Sequence, residues 1–201
     1  MSHLSSLSSL FVTGIELDID RGVLVGGERI ERRLSDLRDC FVDSAAYDRA
    51  LSHDDPLVYS VSSLEPGSGA GDLHLGLGVL MPGRVGQEFF LTKGHYHSWR
   101  EAGEFYIGLR GVGGLLLEDE QGTRRFVGLT AGQVVYVPGS TAHRSVNTGD
   151  EAFVYLGVYP AQAGHDYAAI AADNFAEVVL AGPDGEPEVR DRAVMKRQRG
   201  E

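Results

Sequence analysis

The sequence predicts an all-β protein, a small sandwich or barrel of short strands, and three observations support that prediction. Apolar residues recur at every second position in residues 73–81 (LHLGLGVLM), which is the period of a β-strand. Further short apolar runs follow at regular spacing, with turn residues between them. The 27 glycines suit many tight turns and few long helices. This combination is typical of sandwich and barrel folds.

Turn residues mark where the predicted strands end. Pro82-Gly83 ends the run at 73–81, Glu120-Gln121-Gly122 separates two later runs, and Pro138-Gly139 and Thr148-Gly149-Asp150 bound two others. The predicted strands are, in order, residues 57–61, 73–81, 87–92, 104–109, 113–118, 124–129, 133–137, 153–159 and 177–180.

Helices are expected at only two places, and both ends of the chain are expected to lie outside the barrel. Asp43 can cap a short helix over residues 43–51, and residues 161–172 are rich in alanine. The start of the chain, residues 1–24, is interpreted as an N-terminal arm. The charged segment from Gly182 onward is interpreted as a solvated or frayed tail.

Composition narrows the functional classes. The 201 residues suit one domain, and 18 Lys and Arg against 29 Asp and Glu give a formal net charge of −11. That balance argues against a nucleic-acid partner, and an anionic ligand needs positive potential from its own site. Cys40 is the only cysteine, so no intramolecular disulfide can form. Because no apolar run is long enough to span a membrane and no secretory signal is present, the chain is expected in a reducing cytoplasm, away from membranes.

The strongest chemical signal is His95-Tyr96-His97 followed by Glu104. Residues i and i+2 of a strand face the same side, so the two imidazoles are expected to point together. Glu104 opens the next strand and can fold back beside them, and His143 lies at the start of another strand. Three imidazoles and one carboxylate suit a divalent transition metal ion such as Mn²⁺, Fe²⁺, Co²⁺, Ni²⁺ or Zn²⁺.

A His-x-His pair alone is a weak signal, because a lone histidine in a β-protein is usually an ordinary polar residue. Metal binding is predicted by its conjunction with Glu104 and with His143, which sits in a frame of glycine, proline and asparagine. His3, His53 and His74 lie outside this set and are interpreted as ordinary polar residues, although His74 is placed where it could point into a barrel.

The same residues carry a resemblance to known proteins. Residues 95–111 (HxH-x6-E-x6-G) resemble the first cupin motif with a longer gap before the glutamate, and residues 132–147 (G-x5-P-x-S-x2-H-x3-N) resemble the second. More specifically, about residues 25–180 resemble the cupin-type, archaeal-type glucose-6-phosphate isomerases, which are metal-dependent. The most specific segments are TKGHYHS (92–98), NTGD (147–150) and YPAQAGHDY (159–167).

The resemblance implies a cupin domain at residues 25–180, a double-stranded β-helix or jelly-roll barrel with a few short helices, followed by a charged tail at 181–201. It implies an isomerase that interconverts glucose 6-phosphate and fructose 6-phosphate in glycolysis and gluconeogenesis, acting as a homodimer. One divalent metal ion per subunit is expected, and its ligands are His95, His97, Glu104 and His143.

The resemblance also assigns roles in the reaction. Glu104 is the proposed base that moves a proton between the reacting carbons, and a metal-assisted hydride shift is the competing mechanism. His165 assists ring opening or holds a sugar oxygen. For Tyr106 and Tyr159, a place in the aromatic core is the alternative interpretation. The residues expected to contact the substrate or its phosphate are Thr92, Gly94, Tyr106, Tyr159 and Tyr167.

Some positions depart from the family pattern. Gly78 stands where relatives have a threonine that contacts the phosphate, and Gly139-Ser140-Thr141 stands where they have a bulky aromatic pair. Arg100 is a candidate to replace the lost phosphate donor, because guanidinium suits phosphate geometry. Lys93 is expected to point outward, because its neighbour Thr92 is expected to point inward.

Two other functional classes fit the residues. The predicted metal set also suits another metallocupin enzyme, such as an iron-dependent oxygenase. A non-catalytic sugar-binding cupin is the third possibility. Oxygen consumption distinguishes the first of these from an isomerase, and substrate binding without turnover distinguishes the second.

Overall fold

The computed structural model describes residues 14–171 and 173–199, which are mostly β-structure. All strand pairs among these residues are antiparallel, which confirms the predicted all-β class. In chain order the strands are β1 Leu17–Asp18, β2 Val23–Leu24, β3 Glu28–Arg33, β4 Leu57–Leu64, β5 Leu73–Leu80, β6 Arg84–Val85, β7 Glu88–Phe89, β8 Glu104–Arg110, β9 Val112–Asp119, β10 Arg124–Thr130, β11 Val134–Val137, β12 Thr141–Asn147, β13 Phe153–Pro160, β14 Glu177–Ala181 and β15 Pro187–Asp191.

Helices are few in the described residues: α1 Ser44–His53, α2 Ala168–Ala171 and α3 Arg192–Arg199, with a 3₁₀ helix at Leu34–Cys40. Helix α1 begins as predicted, because the Asp43 side chain accepts a hydrogen bond from the backbone N–H of Ala46 at 2.8 Å. None of the described helices has the length and apolarity that crossing a membrane takes.

The core lies between a large and a small sheet. The large sheet has the strand order β11-β8-β13-β5-β4-β3, and the small one has the order β10-β9-β12. Leu80 and Phe153 from the large sheet meet Leu115 and Leu129 from the small one in a single cluster, and all are completely buried. Burying each of these side chains stabilises the fold by about 1.5–3 kcal/mol. The two sheets thus form the barrel wall, and a third sheet, β15-β14-β7-β6, adds to it.

The hairpin of β1 and β2 covers part of the large sheet. Leu24 is buried with Leu77 and Val154, and Ile15 and Leu17 pack against them. Strand alternation places Leu77 and Val154 on the opposite face from Leu80 and Phe153, so the hairpin supplies a second apolar cluster. The earlier part of the predicted arm, residues 1–13, lies outside the described residues, as does His3.

Two predicted elements are shorter than the sequence suggests. Strand 87–92 reduces to Glu88–Phe89 and an isolated pairing at Leu91. The helix predicted over 161–172 is wrong for most of that range, since α2 spans only Ala168–Ala171. Gly164 has a φ of +61°, and Asp166 pairs with Tyr96 through the backbone, so both keep this segment out of a helix.

The prediction of a solvated tail after Gly182 is wrong over the described residues, because β15 pairs with β14 and α3 follows it. Arg192, only 5% exposed, holds this segment in place. Its Nε donates to the carbonyl of Phe175 at 2.7 Å, and its Nη2 donates to the carbonyl of Cys40 at 3.1 Å. In a segment with many charged residues, the sequence does not show which arginine is buried. The division into residues 1–24, 25–180 and 181–201 stays a prediction.

Candidate active site

The predicted metal ligands come from three segments of the chain. His95 and His97 lie in an irregular segment rather than in the predicted regular strand, and an isolated antiparallel pairing joins His95 to His143. In this pairing each backbone N–H donates to the other residue's carbonyl, at 3.2 and 3.0 Å. Gly94, at φ +72°, provides the left-handed turn that leads into the segment. Glu104 is the first residue of β8, and His143 lies in β12.

These side chains converge on one point. A ligand atom from each of His95, His97, Glu104 and His143 lies within 4.8 Å of the others. Oε2 of Glu104 lies 3.3 Å from Nε2 of His97 and 3.2 Å from Nε2 of His143. His97, Glu104 and His143 are buried, and His95 is half-buried. The structure therefore brings together all of the predicted ligands.

Hydrogen bonds behind the cluster decide which imidazole nitrogen faces it. Nδ1 of His97 lies 2.9 Å from the carbonyl of Ala102, and Nδ1 of His143 lies 3.0 Å from the carbonyl of Thr141. A carbonyl only accepts, so each Nδ1 carries the proton and each neutral ring turns its Nε2 lone pair inward. Carbonyl partners of this kind orient the histidine ligands of metal sites.

The inward nitrogens fit a bound cation. Nε2 of His95 and Nε2 of His143 are buried, and neither has a hydrogen-bond partner among the described residues. Buried polar atoms are normally partnered, and lone pairs that face a carboxylate repel it. A divalent ion would satisfy both the lone pairs and the carboxylate. The donor set therefore fits such an ion, with His95, His97, Glu104 and His143 as its ligands.

The directions of the pKa shifts in the cluster also favour a bound cation. Burial raises the pKa of Glu104, but its interactions with the adjacent His143 and His97 outweigh burial and lower that pKa to about 2. Burial and the neighbouring histidines lower the pKa of His95. Burial lowers the pKa of His97, but the adjacent Glu104 carboxylate and the hydrogen bond to the Ala102 carbonyl give a net rise. The cluster therefore keeps the Glu104 carboxylate ionised. It also keeps the His95 imidazole neutral, so that its lone pair is available to a metal ion.

A pocket of about 390 Å³ opens onto this cluster. Of the predicted metal ligands, His97 is the one that does not reach the pocket wall. The other predicted site residues lie on this wall: Thr92, Gly94, His95, Glu104, Tyr106, His143, Tyr159, His165 and Tyr167. The fold thus brings the predicted substrate-binding residues to one cavity beside the metal ligands. That these residues contact a substrate stays a prediction.

Aromatic rings surround the cluster. The His165 ring lies 4.4 Å from that of His95 and stacks on Tyr167 at 5.9 Å, with 10° between the planes. The Tyr159 ring lies 5.8 Å from that of His165. Tyr106 follows Glu104 by two residues on β8, and burial together with the nearby Glu104 charge raises the pKa of Tyr106 well above the usual range. These rings are both core aromatics and pocket walls, so the two interpretations of Tyr106 and Tyr159 are compatible.

Sequence reasoning missed several pocket residues. Arg32 and Lys93 bring cationic residues to the wall, and Tyr59, Ser145 and Tyr155 bring hydroxyls. Arg32 lies two residues after Ile30 on β3, so the two share a strand face, and both line the pocket. Lys93 is half-buried and forms part of the pocket wall, and the direction of its side chain stays a prediction. The irregular backbone at residues 92–95 breaks the alternation on which that prediction relied.

Arg100 does not take the predicted role at the pocket. Its Nη2 donates to Asp166 at 2.7 Å and its Nε to Glu120 at 3.2 Å, and its Nη1 donates to the carbonyl of His97. These partners occupy the guanidinium outside the pocket wall, so the expectation that Arg100 replaces a phosphate donor is wrong. The side chain instead holds the backbone of His97.

The departure at Gly139-Ser140-Thr141 shapes the same corner of the site. A Cβ at Gly139 would lie 2.7 Å from the carbonyl oxygen of Arg100, so only glycine allows this approach. Ser140 has a φ of +55°, and its N–H donates to the same carbonyl at 2.5 Å. The segment before His143 is therefore fastened to the loop before Glu104.

Comparison with known proteins gives a consistent family. The model of the family described as "Glucose-6-phosphate isomerase (GPI)" matches residues 31–193. A glucose-6-phosphate isomerase of Pyrococcus abyssi is 45% identical over 183 residues, covering 91% of this chain and 96% of that protein. One from Thermococcus gammatolerans is 47% identical over 167 residues, covering 83% of this chain and 88% of that protein. One from Sinorhizobium medicae is 42% identical over 142 residues, covering 70% of this chain and 66% of that protein.

Solved structures include more distant matches. An oxalate oxidase has a TM-score of 0.48 with 14% identity, covering 58% of this chain and 60% of that one. A Bacillus subtilis oxalate decarboxylase variant has a TM-score of 0.43 with 22% identity, covering 53% of this chain and 27% of that one. The family model and the close relatives decide the assignment, and this chain belongs to the glucose-6-phosphate isomerase family.

Proposed function

We propose that this protein is a metal-dependent aldose–ketose isomerase that interconverts glucose 6-phosphate and fructose 6-phosphate. The observation that carries the proposal is the cluster of His95, His97, Glu104 and His143 at the base of a pocket, in a chain that belongs to this family. When bound there, a divalent ion supplies Lewis-acid polarisation of the substrate carbonyl and the neighbouring hydroxyl.

The geometry of Glu104 suits the role of base. Its Oε2 faces Nε2 of His97 and of His143, whereas its Oε1 faces Gly157 on the pocket wall. A Cβ at Gly157 would lie 2.5 Å from that Oε1, so the glycine gives the second oxygen its space. One oxygen of the carboxylate is thus turned to the imidazoles while the other can accept a proton from the reacting carbon.

His165 is placed to act on the sugar ring. It lies beside His95 on the pocket wall, between Tyr159 and Tyr167. We assign it to ring opening or to holding a sugar oxygen, because its imidazole is one ring removed from the metal ligands. A hydride shift is the alternative to proton transfer, and loss of a hydrogen label from the second carbon to the solvent during turnover would exclude a pure hydride shift.

The phosphate requires positive potential that the chain as a whole does not supply, since its formal net charge is −11. Arg32 and Lys93 bring cationic residues to the pocket wall, and Thr92 and Gly94 continue that wall toward His95. We assign the phosphate to this side of the pocket. Tyr106, Tyr159 and Tyr167 then line the space for the sugar.

The test is metal-dependent turnover. Purified protein is stripped with a chelator, single divalent ions are restored in turn (Fe²⁺, Mn²⁺, Ni²⁺, Co²⁺ and Zn²⁺), and formation of glucose 6-phosphate from fructose 6-phosphate is measured. We expect no turnover after stripping and recovery with at least one ion. Absence of turnover with every ion would refute the proposal, and oxygen consumption with an organic substrate would favour an oxygenase instead.

We further propose that the protein works as a homodimer in the cytoplasm, within glycolysis and gluconeogenesis. Support for the dimer comes from an exposed apolar patch of Phe105, Val134 and Tyr136, which are 49%, 58% and 56% exposed on β8 and the edge strand β11. Such patches commonly mark interfaces. Sedimentation should give a dimer mass, and Tyr136→Glu should give a monomer. A monomeric native protein would refute this part.

A further inference from the structure

Gly78 is a glycine inside a regular strand, β5, where backbone geometry does not require one. Its φ is not positive, so the reason for a missing side chain must be steric. A Cβ there would lie 2.3 Å from Cζ of Tyr155 and 2.6 Å from its hydroxyl oxygen. Tyr155 is the cross-strand partner of Gly78 on β13. The phenol end of Tyr155 therefore lies across β5 in the space that any other residue at position 78 would fill.

Tyr155 belongs to the pocket rather than only to the core. It is 7% exposed and lies on the pocket wall, where its ring is 5.4 Å from that of Tyr106. Tyr106 in turn lies 5.8 Å from the His143 ring. Tyr155 is thus one aromatic ring farther from the metal ligands than Tyr106. A substrate whose reacting carbons lie at the metal ligands would extend its phosphate end toward Tyr155.

The Tyr155 hydroxyl belongs to a set of hydroxyls beside the cationic wall. Tyr155 and Ser145 both lie on the pocket wall, and the backbone N–H of Ser145 donates to Oγ1 of Thr92 at 3.0 Å. Thr92 precedes Lys93, one of the cationic residues on the wall. Burial raises the pKa of Tyr155 to about 12, so the phenol keeps its proton and remains a donor.

We propose that Tyr155 is a substrate-binding residue whose hydroxyl donates a hydrogen bond to the phosphate end of the substrate, and that Gly78 is a glycine in order to admit it. The inference rests on the proposed isomerase function. A hydrogen bond from a neutral phenol to a dianion strengthens binding without changing the reacting carbons. Its loss should therefore raise KM and leave kcat nearly unchanged.

The experiment compares fructose 6-phosphate turnover in wild type, Tyr155→Phe and Tyr47→Phe. Tyr47 is a buried tyrosine whose hydroxyl donates to the carbonyl of Leu34, away from the pocket, so it controls for loss of a buried phenol hydroxyl. We expect Tyr155→Phe to raise KM about tenfold or more, with kcat within about twofold. Inhibition by inorganic phosphate should weaken in parallel, and Tyr47→Phe should change neither constant.

Gly78→Ala tests the second half of the proposal, with Gly128→Ala as its control, because a Cβ at Gly128 on β10 meets no atom within 4 Å. Gly78→Ala should displace the phenol and raise KM as Tyr155→Phe does. The double variant of Gly78 and Tyr155 should be no worse than the more affected single variant, because both changes remove the same hydroxyl. Additive effects would overturn the assigned role of Gly78.

The outcomes separate this inference from the proposed function. If wild type turns over fructose 6-phosphate and Tyr155→Phe leaves KM and phosphate inhibition unchanged, the role of Tyr155 is overturned and the function stands. If KM rises but phosphate inhibition does not weaken, the assignment to the phosphate end is overturned. If wild type neither turns over nor binds fructose 6-phosphate, the proposed function fails, and this inference fails with it.

Discussion

Gly94 offers a sharp test of how the site is built, because two separate costs meet at this residue. Its φ of +72° is left-handed, and a Cβ there would lie 2.6 Å from the Phe175 ring and 3.0 Å from Cβ of Arg144. A left-handed residue with a Cβ costs about 1–2 kcal/mol, and overpacking a core adds about 1–3 kcal/mol. We therefore expect Gly94→Ala to lower the free energy of unfolding by about 2–5 kcal/mol.

Gly122 provides the matched control. Its φ of +83° is also left-handed, but a Cβ there meets no atom within 4 Å. Gly122→Ala should therefore show the backbone cost alone, about 1–2 kcal/mol. Urea unfolding of chelated protein, followed by circular dichroism, measures both variants without a contribution from bound metal. Equal losses in the two variants would show that Phe175 and Arg144 yield easily, and would refute the reasoning that their close packing adds to the backbone cost at Gly94.

Three further predictions use other parts of the chain. Arg192→Met should destabilise the protein by about 2–6 kcal/mol in urea unfolding, because it removes the donors that the buried guanidinium provides to the carbonyls of Phe175 and Cys40; Arg190→Met, at an exposed pair, should stay within about 0.5 kcal/mol, and similar losses would contradict the buried anchor. Burial raises the pKa of the Cys40 thiol, so a thiol reagent at mildly alkaline pH should label it only after unfolding; rapid labelling of native protein would show that it is accessible. Arg32→Met should raise KM for fructose 6-phosphate at least tenfold, whereas Arg29→Met should not; equal KM values would remove Arg32 from the phosphate site.

Local periodicity made much of the fold predictable. The alternation at residues 73–81 and the turn residues between later runs located β5, β8–β11 and β13 closely, because side chains of a half-buried strand must alternate. The tail was not predictable in this way. β15 carries little apolar periodicity, and it is held by pairing with β14 and by the buried Arg192, which are contacts between distant parts of the chain.

The metal ligands were predictable from residue type and spacing, but their local structure was not. His95 and His97 lie beside His143 because His95 pairs with His143 through the backbone, although the segment is not a regular strand. Arg32 was not predicted as a site residue because an arginine on a charged strand gives no local sign of the cavity that it faces. Arg32 is the cross-strand partner of Tyr59, and the cavity that both residues line exists only once the sheet is formed.

The central claim is that one site holds the metal and performs the isomerisation, and metal content measured alongside turnover tests it most directly. Wild type, His143→Ala and His53→Ala are loaded with the most active ion, desalted, and assayed for bound metal and for conversion of fructose 6-phosphate. His53, at the end of α1 away from the cluster, is the control. We predict one ion per chain in wild type and His53→Ala, and loss of metal and turnover together in His143→Ala. Full turnover by metal-free His143→Ala would contradict the account.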